Sequence, residues 1–186
     1  ALSSAASDVY KRQEKKAYGK GIELCGKTLG VVGFGRIGQK LGVMAKAIGM
    51  NVIAFDIFHI PGIEEQLGIP YVEMDELLAK ADFISVHAPA VDGGALINAE
   101  RIAKMKDGVV IINTSRGTNV DEAALLAGLE SGKVRAAGLD VYADEPATNK
   151  ALYSHPMVSC TPHIGAATVE AQKRIGAEIV DIISKM

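Results

Sequence analysis

Three polar segments follow strand-like runs of the sequence, and each carries one side chain suited to moving a proton or holding a charge. They are Arg116 within residues 113–117, Glu145 within residues 140–146, and His163 within residues 161–168. Histidine can donate a proton to a carbonyl oxygen and take it back, and the planar guanidinium of arginine can pair with a carboxylate or polarise a carbonyl. A glutamate bonded to the second imidazole nitrogen would fix the tautomer and stabilise the imidazolium. On neighbouring loops these groups suffice for oxidation or reduction at a carbinol carbon, provided that a cofactor carries the hydride.

A glycine-rich turn at residues 33–38 offers a site for such a cofactor. It lies between a strand-like run and a helix-like run and reads Gly-Phe-Gly-Arg-Ile-Gly. Gly33 permits the tight turn, Gly35 lets the backbone approach a phosphate, and Gly38 lets the helix pack close to the strand. The free N–H groups at the start of the helix then face the anion. The pattern therefore predicts a site for a dinucleotide pyrophosphate.

Asp56 closes the next strand-like run, at the spacing where dinucleotide-binding folds place an acidic residue on the adenosine ribose. A carboxylate there accepts hydrogen bonds from the ribose hydroxyls and repels a 2′-phosphate. The following residues, 57–59, include no arginine that could hold such a phosphate. NAD is therefore predicted in preference to NADP. A methyltransferase that binds S-adenosylmethionine at the turn is an alternative, although it leaves Arg116, Glu145 and His163 without a role.

Short β-branched runs alternate with helix-like runs along the chain, which is typical of a Rossmann-type, doubly wound parallel sheet between two helical layers, an α/β fold. The predicted strands are Thr28–Val32, Val52–Phe55, Ile69–Val72, Phe83–His87, Val109–Asn113, Ala136–Asp140 and Val158–Thr161. The predicted helices are Ile37–Ile48, Ile63–Leu67, Met74–Lys80, Ala99–Met105, Val120–Glu130 and Thr168–Lys185. Ligands of such sheets bind at the edge where the strands end.

Three local predictions accompany this scheme. A stripe on the first helix is predicted to pack against the sheet, and it consists of Ile37, Leu41, Ala45 and Ile48. The segment 142–156, rich in Pro, Asp and Asn, is predicted to be an irregular loop at the ligand edge. No metal site is predicted, because His155, Cys160 and His163 lack a fourth ligand and Cys160 falls in a predicted buried strand.

Composition excludes several classes of protein. The 186 residues are 48% hydrophobic and 23% charged, with a net charge of −2. No clustered positive charge is available for nucleic acid or an anionic membrane surface, so neither partner is expected. No apolar stretch reaches membrane-spanning length. Two cysteines form no disulfide framework, which fits a reducing, cytoplasmic location.

These motifs together resemble the nucleotide-binding domain of the D-isomer-specific 2-hydroxyacid dehydrogenases. The resemblance extends from about residue 20 to the end and is carried by Gly26–Gly30, the glycine turn, and residues 113–117, 140–146 and 161–168. It implies that Arg116, Glu145 and His163 are the catalytic residues and that a small 2-hydroxy or 2-oxo acid is the substrate. Residues 165–172 are most similar to the phosphoglycerate dehydrogenases within the family.

The resemblance also implies which side chains and loops would hold NAD. Arg36 and Ile37 would meet the pyrophosphate, Asp56 the adenosine ribose, and Asp140 the nicotinamide amide. The nicotinamide side would be lined by Thr114, Ser115, Arg116, His163, Ile164, Gly165 and Ala166. Apart from the resemblance, His87 and Pro89 follow a predicted strand and are expected to contact the cofactor.

We expect one NAD-binding domain at residues 21–186, preceded by a helical segment at residues 1–20. The family builds its substrate domain from segments on both sides of this domain, and most of that domain is expected to be absent here. A homodimer is predicted through the N-terminal segment and the final helix, where Ile175, Ile179 and Ile182 share one face. Hydroxypyruvate or glyoxylate reduction, and a non-catalytic NAD-sensing module like the corepressors that resemble this family, remain alternative functions.

Overall fold

The computed structural model describes residues 21–91 and 93–185, so the predicted helical segment at residues 1–20 lies outside it. Six strands form one parallel sheet in the order β2-β1-β3-β4-β5-β6. They are β1 (Thr28–Val32), β2 (Asn51–Phe55), β3 (Phe83–Val86), β4 (Val109–Asn113), β5 (Val134–Leu139) and β6 (Val158–Cys160). All neighbouring pairs are parallel, which places the carboxyl ends of the six strands along one edge. The predicted parallel sheet is confirmed.

Helices cover both faces of the sheet. They are α1 (Arg36–Ala47), α2 (Ile63–Leu67), α3 (Met74–Lys80), α4 (Ala99–Lys104), α5 (Glu122–Glu130), α6 (Lys150–Tyr153) and α7 (Val169–Ser184), with a 3₁₀ turn at Gly117–Asn119. Alternate residues of β2 point into different cores: Val52 and Ala54 pack in the cluster beside α1, whereas Ile53 and Phe55 pack against the cluster that contains α3, α4 and α5. The arrangement is the predicted three-layer α/β fold.

The order of the strands reverses beside β1. The chain passes from β1 to its neighbour β2 on one side and then returns to β3 on the other side. Parallel sheets bind ligands in the crevice that such a reversal opens between the two strand ends. The glycine turn follows β1 and the segment His87–Pro89 follows β3, so the two segments lie on either side of this crevice.

The predicted strand Ile69–Val72 is wrong, because this segment makes only an isolated bridge between Tyr71 and Ala54. Pro70 has no N–H group with which to extend a ladder. The N–H of Tyr71 donates instead to the Glu64 carboxylate at 2.7 Å. The predicted irregular segment 142–156 also needs correction, since it contains the short helix α6, capped by the side chain of Asn149.

The predicted packing stripe of α1 is only half right: Ala45 is buried and Leu41 packs against the core beside it, but the two isoleucines do not. Ile37 is 67% exposed and Ile48 is 55% exposed. The residues of α1 that are buried are small: Gly38, Gly42 and Ala45. A Cβ atom at Gly42 would lie 2.8 Å from Cδ1 of Ile69, so the helix approaches the core too closely for larger side chains. Close helix–sheet packing therefore turns the buried face of α1 toward Gly38 and Gly42, and leaves Ile37 and Ile48 at the surface.

Gly42→Leu is expected to destabilise the fold by about 1–3 kcal/mol, the usual cost of overpacking a core. The matched change Val43→Leu, at a side chain that is 46% exposed, is expected to alter the free energy of unfolding by less than about 0.5 kcal/mol. Urea unfolding of both variants measures the difference. Equal stability of the two would contradict the close approach at Gly42.

Candidate active site

The glycine turn has the three properties that its spacing predicts. Gly33 has φ = 92°, and a Cβ there would lie 2.5 Å from the backbone N of Ala88. A Cβ on Gly38 would overlap the carbonyl oxygen of Gly33. At Gly35, by contrast, no atom lies within 4 Å of the position that a Cβ would take. Gly33 and Gly38 are therefore required by packing, whereas Gly35 leaves the backbone accessible to a ligand.

Asp56 lies at the end of β2 and holds the glycine turn. Its Oδ2 accepts a hydrogen bond from the N–H of Phe34 at 2.6 Å, and its Oδ1 accepts one from the N–H of Phe58 at 3.0 Å. The carboxylate thus joins the end of β2 to the turn that follows β1. Each oxygen keeps a further lone pair for a second donor.

A cleft of 160 Å³ opens between the glycine turn and the loop after β3. Five residues predicted to bind the cofactor or shape its turn line it: Gly33, Gly35, Asp56, His87 and Pro89. Arg36 and Ile37 are exposed at the start of α1, next to this cleft. Accessible backbone at Gly35, a helix N-terminus and an adjacent carboxylate are what a dinucleotide requires, so these residues fit the predicted NAD.

His87 is half-buried at the wall of this cleft. Its Nε2 is hydrogen-bonded to Oγ of Ser85 at 2.8 Å. Burial lowers the pKa of His87 below its ordinary value of 6.5 because the charged imidazolium is poorly solvated there. The imidazole is therefore neutral at pH 7, where it adds no positive charge to the cleft.

Asn113, at the end of β4, shapes the loop that carries Arg116. Its Nδ2 donates to the carbonyl oxygen of Arg116 at 2.9 Å, and its Oδ1 accepts from the N–H and the hydroxyl of Ser115 at 3.1 and 2.8 Å. The backbone of Arg116 is thereby fixed, while its guanidinium is exposed and donates to the Ser115 carbonyl at 2.7 Å. Thr114 is also exposed at this rim.

Asp140, at the end of β5, ties the loop of His163 to the sheet. Its Oδ1 accepts from the Thr161 hydroxyl at 2.6 Å and from the N–H of Ile164 at 3.0 Å, and its Oδ2 accepts from the N–H of Gly165 at 2.9 Å. Burial alone would raise the pKa of Asp140, but these hydrogen bonds stabilise the carboxylate and the pKa is lowered overall. Asp140 is ionised at neutral pH and fixes residues 161–165.

Glu145 and His163 are in direct contact, as the sequence predicts. Nδ1 of His163 is hydrogen-bonded to Oε2 of Glu145 at 2.8 Å, and both side chains are about half exposed. The bond lowers the pKa of Glu145, because a carboxylate is stabilised by a donor that faces it. His163 adopts φ = 54°, a left-handed conformation that is uncommon for residues other than glycine. The pair lines a 420 Å³ cavity with Tyr142, Tyr153 and other residues.

The three polar loops meet along the rim. A Cβ on Gly117 would overlap the carbonyl of Tyr142, so the Arg116 loop packs directly on the loop that carries Glu145. The hydroxyl of Tyr142 donates to the carbonyl oxygen of Thr161 at 2.9 Å. Within residues 21–91 and 93–185, no hydrogen bond or ion pair joins Arg116 to Glu145 or His163. The loops are adjacent, but no hydrogen bond joins the guanidinium to the imidazole.

Cys160 is exposed, which corrects the prediction that it is buried in its strand. It lies in β6, which pairs with β5 at the edge of the sheet that the described residues form. Burial and a hydrogen bond to the Cys160 thiol raise the pKa of the Tyr142 hydroxyl well above its usual range.

No group of three or more His, Cys, Asp or Glu side chains in the described part of the chain is arranged to hold a metal ion.

Sequence reasoning missed two residues that shape the site. Tyr142 positions the carbonyl of Thr161, and Asn119 connects the Arg116 loop to the loop after β3. Asn119 is fully buried. A polar residue beside the apolar Val120 is the only signal in the sequence, and that signal does not reveal which distant groups the amide contacts.

Comparison with known proteins identifies the family. Residues 2–165 match the model of the D-isomer specific 2-hydroxyacid dehydrogenase, NAD binding domain. The chain belongs to this family. The predicted family and its cofactor, NAD, are thereby confirmed.

Relatives with several activities match this family member. A hydroxypyruvate reductase of Thermotoga maritima is 51% identical over 92% of the chain and 56% of that protein. A D-3-phosphoglycerate dehydrogenase of Mycobacterium leprae is 48% identical over 91% of the chain and 32% of that protein. The chain thus spans just over half of the length of the first relative and just under a third of the second.

Solved structures of dehydrogenases share the fold. A glyoxylate reductase from Paecilomyes thermophila superposes with a TM-score of 0.85 at 40% identity, over 93% of the chain and 52% of that structure. A D-lactate dehydrogenase from Aquifex aeolicus, solved with NAD and lactic acid, gives a TM-score of 0.81 at 34% identity, over 95% of the chain and 60% of that structure.

Among residues 21–91 and 93–185, no helix has the length and apolarity to cross a membrane.

Gly35→Ala is expected to weaken NADH binding about ten-fold or more, equivalent to about 1.4 kcal/mol, because the new methyl group occupies the space over the turn. Its stability is expected to stay within about 0.5 kcal/mol of the native protein. The matched change Gly38→Ala is expected to lower stability by about 1–3 kcal/mol, because its Cβ meets a backbone carbonyl. Calorimetric titration and urea unfolding separate the two effects; unchanged NADH affinity of Gly35→Ala would contradict the ligand role of the turn.

The lowered pKa of His87 makes stability depend on pH. Below pH 6.5 the unfolded chain protonates this histidine, whereas the folded chain does not until its lower pKa is reached. The unfolded state then binds more protons, so the free energy of unfolding falls as the pH drops through this window. His87→Gln is expected to reduce that slope, which urea unfolding between about pH 7.5 and 5 measures. Parallel pH profiles of the two proteins would disprove the assignment.

Proposed function

We propose that this chain is the NAD-binding part of an oxidoreductase that acts on D-2-hydroxy acids. The observation that carries the proposal is the 2.8 Å contact between His163 and Glu145, on a rim shared with Arg116 and the cofactor cleft. Membership of the D-isomer specific 2-hydroxyacid dehydrogenase family supports oxidation and reduction of 2-hydroxy acids. Because the chain covers only part of its relatives, the activity of the whole protein belongs to the proposal.

NAD, when bound, supplies the capacity to accept or donate a hydride. In the proposal, the backbone of the glycine turn with Arg36 and Ile37 holds the pyrophosphate, Asp56 holds the adenosine ribose, and Asp140 holds the nicotinamide amide. Residues 114–116 and 163–166 line the nicotinamide side. The open backbone at Gly35 and the helix N-terminus that follows it support this placement.

His163 is proposed as the general acid and base. Its Nδ1 is engaged by Glu145, which leaves Nε2 to exchange a proton with the substrate oxygen. In reduction Nε2–H donates to the carbonyl oxygen, and in oxidation Nε2 accepts the proton of the hydroxyl. Glu145 remains a carboxylate because its pKa is lowered, so it stabilises the imidazolium that forms during oxidation.

Arg116 is proposed to bind the carboxylate of the substrate. Its guanidinium is exposed, and a bidentate carboxylate contact is stronger than the neutral hydrogen bond that it makes to the Ser115 carbonyl. Exchange of one partner for the other requires only side-chain rotation, because the backbone of Arg116 is already held by Asn113.

D-3-phosphoglycerate is the proposed substrate, with hydroxypyruvate reduction as the second candidate because a relative with 51% identity has that name. The two 2-oxo acids involved, hydroxypyruvate and its 3-phosphate, differ only in the distal phosphate. The groups that would recognise this phosphate are proposed to lie mainly in the substrate domain. With this substrate the protein is proposed to act in serine biosynthesis. The cytoplasmic location and the division at residue 20 stay predictions.

A homodimer also stays a prediction. The final helix, α7, has no buried residue, and Ile175, Ile179 and Ile182 are 46%, 52% and 54% exposed. This surface is compatible with a two-fold contact. The corepressor-like alternative uses the same NAD site without turnover, so only an activity measurement separates it from the enzyme.

The proposal predicts that the protein oxidises NADH with hydroxypyruvate, its 3-phosphate or glyoxylate, in a chain that carries the substrate domain. His163→Asn is expected to lower kcat by about 10² to 10⁴, while NADH affinity stays within a few-fold, because the proton donor is lost but the cleft is intact. Absorbance at 340 nm follows turnover, and fluorescence titration follows NADH binding.

Two control variants sharpen this test. Glu145→Gln keeps an acceptor for Nδ1 but loses the charge, so its kcat is expected to fall less than that of His163→Asn. His155→Asn, outside the rim, is expected to leave turnover unchanged. Full activity of His163→Asn would refute the proton-transfer role, and NADH binding without oxidation by any of the three acids would favour the NAD-sensing module.

A further inference from the structure

Asn119 is a fully buried polar residue that none of the proposed catalytic steps uses. It ends the 3₁₀ turn Gly117–Asn119, directly after Arg116. Its Nδ2 donates to the carbonyl oxygen of Ala88 at 2.9 Å and to Oγ of Ser115 at 3.1 Å. One amide group therefore joins the loop after β3 to the loop after β4.

The two joined groups belong to different parts of the site. Ala88 lies between His87 and Pro89 in the cofactor cleft, and its backbone packs against Gly33. On the other side, the Ser115 hydroxyl donates to Asn113 at 2.8 Å, and Asn113 donates to the Arg116 carbonyl at 2.9 Å. A continuous series of hydrogen bonds thus runs from the wall of the cofactor cleft to the backbone of Arg116.

Stability does not explain this amide. Oδ1 of Asn119 is buried and accepts no hydrogen bond from any residue that the structure describes. A buried acceptor without a donor destabilises the folded state. The neighbouring Ile97 and Val120 are buried and apolar, so a leucine of similar size would fit the position without burying an unpaired oxygen. The two donor contacts of Nδ2 are what leucine cannot replace.

We infer that Asn119 is a positioning residue that couples the cofactor cleft to the Arg116 loop. When NAD orders the loop that contains Ala88, the Asn119 amide transmits that ordering through Ser115 and Asn113 to the backbone of Arg116. The inference rests on two parts of the proposed function: Arg116 binds the carboxylate of the substrate, and the cleft binds NAD.

Asn119→Leu tests the coupling with NADH as the probe. Two backbone amides, those of residues 119 and 120, donate to the carbonyls of Arg116 and Gly117 at 3.1 Å each and therefore report on the Arg116 loop. In the native chain, NADH is expected to slow hydrogen exchange at both amides. In Asn119→Leu this slowing is expected to disappear, while NADH still protects residues 33–38.

Affinity and stability provide the second readout. Asn119→Leu is expected to bind NADH roughly five-fold to ten-fold more weakly, the effect of losing one neutral hydrogen bond or a little more. Its thermal unfolding midpoint is expected to stay close to that of the native chain, because removal of the unpaired Oδ1 offsets the loss of the two Nδ2 contacts. Asn51→Leu, the same change at an exposed site that donates to Gly26, serves as the matched control and should change neither NADH protection nor affinity.

Ser115→Ala interrupts the same series of hydrogen bonds one step further along and is expected to abolish NADH protection at residues 119 and 120 as well. It keeps the inference testable if Asn119→Leu does not fold. Persistent NADH protection at these amides in either variant would overturn the coupling. Parallel loss of stability and affinity in Asn119→Leu, with protection retained in Ser115→Ala, would make Asn119 merely structural. A native chain that binds no NADH would overturn the cofactor site itself.

Discussion

Parallel pairing of β1, β3, β4, β5 and β6 is the constraint on which the site depends. It directs every strand end to one edge, so segments separated by more than a hundred residues, such as the glycine turn and the loop of His163, reach the same rim. Hydrogen bonds between successive strand ends then fix the loops: Asn113 accepts from the N–H of Asp140 at 3.0 Å, and Asp140 accepts from Ile164 and Gly165. The sheet places the loops at one edge, and the buried Asn113 and Asp140 then fix the backbone positions of those loops.

Ionised and neutral groups have separate roles along this rim. Asp140 is held as a carboxylate by three donors, and Glu145 by the imidazole of His163, so both pKa values are lowered although their surroundings differ. His87 is kept neutral by burial. In the proposed mechanism, the positive charge that faces the substrate comes from Arg116 and a protonated His163, whereas Arg36 lies beside the cofactor cleft.

Periodicity predicted most elements, and the errors have physical causes. The bounds of Ile63–Leu67 and Met74–Lys80 were predicted correctly because apolar residues recur there at helical spacing between turns. Ile69–Val72 looked like a strand, but Pro70 and the Glu64 carboxylate prevent a ladder. The buried face of α1 was only partly assigned: Leu41 and Ala45 pack on the core as predicted, but Gly38 and Gly42, which hydrophobicity does not mark, lie there in place of Ile37 and Ile48.

The sequence by itself determined the family: glycine spacing specified the turn, and the order of the polar segments placed Arg116, Glu145 and His163 after strand ends. Only the tertiary structure decided that Nδ1 of His163 faces Glu145, and that Asn119 bridges Ala88 and Ser115. The residue pattern within a segment indicates whether it forms a helix or a strand and which of its residues can be buried. Hydrogen bonds between segments depend on strand order and on the distance between helix and sheet, which no single segment encodes.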